Sequence, residues 1–195
     1  MSVSVYQLDA QALSRAIPAI AALRMAVFRE WPYLYDGDLS YEETYLQPYL
    51  DNPNACIVGA FDRETLVGAA TATPLRDHAD DFAQAFAGTG HDIDTLYYCA
   101  ESVLLPAYRG QGIGHRFFDI REQTARGLGY RDVCFASVIR PQHHPSRPRN
   151  VRTLDSFWRR RGYAPLAGVV AEFRWKDLGE DEESPKPLQV WHRTL

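Results

Sequence analysis

The sequence predicts a mixed α/β fold built on one largely antiparallel sheet, and three features carry that expectation. Short β-runs alternate with helix-periodic segments along the whole chain. Residues 55 to 61 and 66 to 73 read as two β-runs around the turn-like stretch from Asp62 to Thr65, which is the signature of a hairpin. LYYCAESVLL (96 to 105), the most strand-like segment, is closed by Pro106 and runs through a glycine turn into an amphipathic helix. Element order alone leaves several topologies open.

Taken in order, residues 3 to 8 (VSVYQL) form a first strand. A helix from Pro18 to Arg29 follows, with Pro18 at the first helical position and Ile20, Leu23 and Val27 recurring at helical spacing. A tyrosine-rich loop (WPYLYDGD) leads to a short helix in YEETYLQPYL, ended by DNPN. Beyond the hairpin, residues 78 to 87 have weak helix character. In the helix after the glycine turn, Ile113, Phe117, Ile120 and Thr124 share one face, and Gly127 and Gly129 end it. A strand at 133 to 139, a Pro- and His-rich connection, a helix from about Val151 to Arg161, and strands at 169 to 175 and 187 to 192 complete the chain. The acidic run GEDEESP between the last two strands reads as a solvated loop. No internal repeat or interdomain linker stands out, so one domain over residues 1 to 195 is expected.

Composition narrows the function. With 195 residues, 46% hydrophobic and 24% charged, the chain can bury a real core without metal or disulfides. A formal charge of −4 argues against broad nucleic-acid affinity, which needs a basic surface. No apolar run approaches a membrane span, and MSVSVYQLDA is neither a basic leader nor an apolar signal core; a cytoplasmic location without membrane contact is expected. Cys56, Cys99 and Cys134 lie in apolar stretches without zinc-site spacing, as buried reduced thiols do. His143 and His144 lack a visible third ligand, so no metal is expected.

The chemistry concentrates where the strand turns into the helix, at Gly110, Gly112 and Gly114. Glycine lets the backbone adopt conformations closed to other residues and lets a ligand approach the main chain, while N–H groups at a helix start attract an anion such as a diphosphate. The dinucleotide fingerprint fails because His115 occupies its last glycine position, and no Gly-Lys-Ser/Thr of a Walker loop is present. Arg109-x-x-Gly112-x-Gly114 does match a known pattern: it resembles the acetyl-CoA signature of the GNAT family of N-acetyltransferases, and the order of elements resembles that family along nearly the whole chain.

The resemblance implies a mixed, mostly antiparallel central sheet flanked by helices on both faces, and acetyl-CoA as co-substrate. It implies that Val103, Leu104 and Leu105 present backbone groups to the pantetheine arm, that amides among Gly110, Gln111, Gly112, Ile113, Gly114 and His115, with Arg109 nearby, hold the diphosphate, and that Asn150 stands near an arm-binding asparagine, one residue out of register. The arginines, Arg116 included, read equally as solvated surface. Direct transfer needs a base. Glu101, a carboxylate in an apolar strand, is the candidate, against the alternative of a Glu paired to a basic side chain or facing solvent. Where the family often has an acidic tyrosine this chain has Trp158, whose indole is too weak an acid; Tyr163 is the substitute, or else a packing residue. Acetylation of Cys99 or Cys134 lacks an activating base.

The loop between the first two helices borders the acceptor in that family. Here it holds Glu30, Trp31, Tyr33, Tyr35, Asp36, Asp38 and Tyr41, which suit a cationic amine, with Glu30, Tyr33 and Tyr35 foremost; a satellite core with solvated acids is the alternative. The functional expectation is transfer of an acetyl group from acetyl-CoA to a primary amine of a small molecule or amino acid in a ternary complex, by a monomer or homodimer. A catalytically silent acyl-CoA-binding regulatory module and a protein or peptide N-acetyltransferase are the alternatives.

Overall fold

The computed structural model describes residues 3–195. Its elements run β1 (Val3–Gln7), α1 (Ala10–Phe28), α2 (Leu39–Leu46), α3 (Pro48–Asp51), β2 (Cys56–Asp62), β3 (Thr65–Pro74), α4 (Ala79–Phe86), β4 (Leu96–Leu104), α5 (Ile113–Gly127), β5 (Asp132–Val138), α6 (Asp155–Arg160), β6 (Ala164–Trp175) and β7 (Ser184–Thr194). The strands form a seven-stranded sheet ordered β1-β2-β3-β4-β5-β7-β6. Every neighbouring pair is antiparallel except β4 and β5. The expected mixed, mostly antiparallel sheet with helices on both faces is what the chain forms.

Helix α1 starts at Ala10, because Asp9 caps it by accepting from the Ala12 amide at 2.8 Å; Pro18 is therefore interior, not first. An interior proline forfeits one backbone donor. The helix persists because Leu13, Ile17, Ile20, Ala21 and Phe28 recur at helical spacing and are buried on the sheet. The late helix is also shorter than its sequence suggests, Asp155–Arg160. The β-branched Val151 and Thr153 ahead of it disfavour a helical turn. The acidic loop is more ordered than expected. Glu180 accepts from the Asp177 amide, Lys186 Nζ and Ser184 Oγ at 3.1, 3.0 and 2.9 Å. The amide bond first, then Lys186 and Ser184, hold its carboxyl down at about 2.

The core has two sides. Against one face of the sheet pack α5 and α6, with Val58, Val67, Tyr97, Cys99, Phe117, Phe118, Phe135 and Tyr163 in one cluster. Against the other pack α1 to α3, with Leu46, Ile57, Ala69 and Val103, and next to them α4, with Phe82 and Phe86 on Leu96 and Tyr98. Cys56, Cys99 and Cys134 are all free and buried, and burial raises each thiol, Cys99 to about 11. Among the described residues no helix is long and apolar enough to cross a membrane.

One irregularity in the sheet decides where Glu101 points. Tyr97 and Tyr98 pair with Pro74 and Thr73, but the next partners are Glu101 and Thr71, so β4 carries one residue more than β3 across this interval. Such a bulge reverses the side-chain alternation beyond it. Tyr97 and Cys99 face α5, Tyr98 and Ala100 face α4, and Glu101, which regular alternation would turn toward α5, turns toward α1. Arg121 of α5, 1% exposed, serves the bulge from the far side. Its guanidinium donates to Thr71 O (3.2 Å), Glu101 O (2.9 Å) and Ser102 Oγ (3.0 Å). Arg121→Met is expected to strand these acceptors and to cost about 3 kcal/mol of unfolding free energy in urea melts. A variant as stable as the parent would show that the bulge holds without the guanidinium.

Candidate active site

Strands β4 and β5 pair only through Leu96, Tyr97 and Tyr98, opposite Asp132, Val133 and Cys134. Beyond that point β5 turns its hydrogen bonds to β7 alone, while β4 continues along β3 to Leu104. The strands therefore part like the arms of a V, and one edge of β4 is left open. Antiparallel backbone groups alternate in direction, and Leu105 N donates to Val67 O of β3 at 3.0 Å. Val103 thus faces β3, and Leu105 spends its N–H on β3 and its carbonyl on the Tyr108 N–H (3.0 Å), which corrects the expectation that all three residues from Val103 to Leu105 offer their main-chain groups to a ligand. The groups facing the cleft belong to Leu104, whose carbonyl also accepts from Arg109 Nε at 3.1 Å, and to Ser102, a residue that no sequence pattern singled out.

The open edge leads to the start of α5. Gly110 and Gly112 sit at φ +78° and +80°, which other residues rarely adopt, and α5 has no side-chain cap. Its first amides are thus left for a ligand. His115 is an exception to the expected set, because its N–H is already bonded to Gly112 O at 3.0 Å. The His115 ring instead packs on Phe157. Arg109 reaches back to Leu104 O (3.1 Å) and to Glu30 (2.9 Å), so it links the glycine turn to the loop after α1. Arg116 bonds Val3 O and Val5 O of β1 and is structural. A free strand edge running into a glycine-lined, uncapped helix start is shaped for an extended chain that ends in a diphosphate.

Glu101 lies on the splayed part of β4, half-buried. Its carboxylate forms an ion pair with Arg24 of α1, and Arg24 Nε also binds Glu42 of α2. Of the two roles open to Glu101 in the sequence, a basic partner and a catalytic base, the partner is real, but it is shared. Arg24 also lies over the Tyr45 ring at 4.4 Å. No sequence pattern announced Arg24 or Glu42, since each reads as an ordinary charge on a helix.

The loop after α1 is fixed from the far side by Arg140. Its guanidinium forms a fork with Asp177 (2.6 and 2.8 Å) and donates to Pro32 O and Tyr33 O (2.8 and 2.6 Å). Tyr33, half-buried, packs on Phe28 and Trp175 at the edge of the core. Glu30 pairs with Arg109, and Tyr35 stands beside Glu42, where burial and then that carboxylate raise its hydroxyl. His144 packs edge-on against Trp31, which ties the β5 to α6 connection to the same loop. Asn150 is exposed in that connection.

Tyr163 is buried and engaged within the core. Its hydroxyl donates to Glu122 at 3.0 Å in the core under α5, and burial pushes its ionisation well up. Arg161 and Arg193 complete the shell around Glu122 at 3.1 and 3.0 Å. Trp158 packs on Phe135 and Trp191. The raised thiols of Cys99 and Cys134 are neutral and make poor nucleophiles. Among the described residues no group of three or more His, Cys, Asp or Glu side chains could hold a metal ion.

Comparison with known proteins agrees with this geometry. A curated relative, an uncharacterised protein of Mycobacterium leprae (strain TN), is 30% identical over 129 residues, covering 57% of this chain and 32% of that protein; the chain spans about a third of its relative's length. Among solved structures, the fold is similar to the ribosomal-protein-alanine N-acetyltransferase from Brucella melitensis, at 14% identity over 98% of this chain and 99% of that one (TM-score 0.62). It is similar too to the Drosophila melanogaster polyamine N-acetyltransferase, which forms N-acetylagmatine, at 13% identity over 100% of both chains (TM-score 0.61). The PaiA N-acetyltransferase from Thermoplasma acidophilum, solved in complex with coenzyme A, aligns at 13% identity over 100% of both chains (TM-score 0.54). The family model described as acetyltransferase (GNAT) family matches residues 20–148, a stretch holding the splayed strand, the glycine turn and Glu101, and on that match the chain belongs to the GNAT acetyltransferase family.

Proposed function

We propose that the chain is a single-domain N-acetyltransferase that moves the acetyl group of acetyl-CoA directly to a primary amine of a small molecule or amino acid. The parting of β4 from β5, with Glu101 on the free arm of the V, carries this reading. Ser102 and Leu104 offer backbone groups to the pantetheine arm, and the amides from Gly110 to Gly114 receive the diphosphate.

An ammonium ion has no lone pair to attack with. Glu101 takes one N–H proton, leaving that bond's electron pair on nitrogen. Nitrogen then bonds to the thioester carbon, the C–S bond breaks, and the electrons of that bond leave on sulfur. The second proton lost from nitrogen is available to the thiolate. A thiol with pKa of about 8.5 leaves tolerably as its anion near neutral pH, so no side-chain acid is required. That answers the engagement of Tyr163 elsewhere. The same engagement favours a second reading, a silent acyl-CoA-binding module, which one productive amine would end.

The test is release of free thiol from acetyl-CoA across a panel of agmatine, spermidine, amino acids and an alanine-terminated peptide. Wild type is expected to turn over at least one, and Glu101→Gln to lower kcat/KM on it by about 100-fold or more. An unchanged rate would remove Glu101 as base, while absence of acetyl-CoA binding in calorimetry would remove the enzymatic reading altogether. Tyr163→Phe loses a hydrogen bond to a charged group, so melts should show a loss of about 1 to 2 kcal/mol with kcat within about twofold of wild type. A 100-fold drop in kcat in a stable Tyr163→Phe protein would restore the tyrosine as acid.

A further inference from the structure

The site contains a charge arrangement that general acid–base chemistry alone does not demand. One buried cation, Arg24, serves two carboxylates through different nitrogens, Nε for Glu42 and Nη1 for Glu101. Glu42 is completely buried; Arg24 is the cation paired with it, and the neutral Tyr35 hydroxyl stands beside it. Glu101 is the more open of the two, with its side chain 13% exposed. Counting formal charges, the trio of Arg24, Glu42 and Glu101 carries one unit of negative charge in surplus.

We propose that Glu42 is a positioning residue that keeps Glu101 able to accept a proton, by claiming a share of Arg24 that would otherwise neutralise Glu101. The inference rests on the assignment of Glu101 as base. Its physics is a comparison of end states. With Glu42 present, a proton arriving from the ammonium takes the trio from one negative charge to neutral. Without Glu42, the same proton takes a neutral Arg24–Glu101 pair to a net positive charge in a poorly solvated site, where an uncompensated charge is costly. The surplus carboxylate is what makes proton uptake favourable.

The surroundings leave this balance to the trio. Tyr33 and Tyr35 from the loop, Tyr45 from α2, Tyr49 from α3 and Tyr98 from β4 all have their hydroxyls raised, burial being the first cause in each, so they stay neutral. The Cys99 thiol, raised to about 11, is neutral too. Arg121 approaches from α5, where its charge ends on Thr71 O, Glu101 O and Ser102 Oγ, and a change at Glu42 leaves it in place. At the end of β3, His78 packs on the Tyr98 ring and Asp77 bonds Asn52.

The test compares wild type with Glu42→Gln, which keeps the shape and removes the charge. Two readouts are used: the carboxyl 13C resonance of Glu101, assigned by its loss in Glu101→Gln, followed against pH without any acceptor; and the pH profile of kcat/KM for thiol release with agmatine or whichever panel amine is productive. In wild type the Glu101 carbon is expected to show a titration whose midpoint sets the acid limb of the rate profile. In Glu42→Gln the midpoint is expected to fall by about one pH unit, a tenfold loss of proton affinity, and the acid limb of the rate profile to move down with it. Equal midpoints in the two proteins would overturn the proposal. Should Glu42→Gln fail to fold, the wild-type Glu42 carboxyl carbon is followed instead: a Glu42 already protonated at the pH where Glu101 titrates carries no surplus charge and would overturn the proposal just as well. A shifted resonance in a protein that acetylates no amine would uphold the charge-sharing while ending the assignment of Glu101 as base.

Discussion

The extra residue in β4 is the constraint on which the site depends. Because side chains alternate along a strand, one inserted residue decides which face each later side chain occupies. Glu101 points at Arg24 and Ser102 points at Arg121 only because the insertion lies between Tyr98 and Glu101. Insertion breaks ladder hydrogen bonds, and a buried carbonyl without a donor costs on the order of 1 to 3 kcal/mol. Arg121 supplies donors to two such carbonyls from the opposite face, so the helix that opens at the glycine turn also holds the strand carrying the candidate base. The glycine turn and the Glu101 side of β4 are coupled through one side chain.

Buried arginines do comparable work elsewhere around the cleft. Arg24 joins α1, α2 and β4 through Glu42 and Glu101, Arg140 joins the loop after α1 to Asp177 beyond β6, and Arg161 and Arg193 converge on Glu122 of α5. Removing one partner from such a pair leaves a buried charge uncompensated and typically costs about 3 to 5 kcal/mol, whereas an apolar replacement of the whole set is often neutral. These arginines therefore fix geometry more than they add stability. With Arg121, they hold the elements around the V between β4 and β5.

Much of this was legible in the residues. The hairpin, the strand from Leu96, the glycine turn and the amphipathic α5 were readable because each rests on local pattern: alternation, left-handed glycine and helical spacing. Pro18 misled because local preference placed it at a helix start, while tertiary packing of Leu13 and Ile17 extended the helix past it. Glu101 stood out as a carboxylate in an apolar run, but the bulge that aims it did not, since a bulge is a relation between β3 and β4 and neither strand alone records it. For the same reason Arg24, Glu42, Arg121 and Arg140 were silent: each is an ordinary charge in its own segment and acquires meaning from a partner far along the chain. Tyr33 and Tyr163 show the converse. Their residue type suggested chemistry, and their hydroxyls or rings turned out to be bound up in the core.

The open edge of β4 and the side chain of Glu101 point in different directions. The main-chain edge at Ser102 and Leu104 is directed sideways into the V, where only backbone groups are presented and side-chain identity matters little. Glu101 projects at right angles to that edge, toward α1 and α2. The open edge therefore runs past the root of the Glu101 side chain, while the carboxylate itself lies on the α1 side. Because the neighbouring tyrosines and Cys99 stay neutral, the negative charge on this face rests on the carboxylates held by Arg24. The open edge of β4 and that charge thus lie next to each other, set by the same reversal of alternation that put Glu101 on that face.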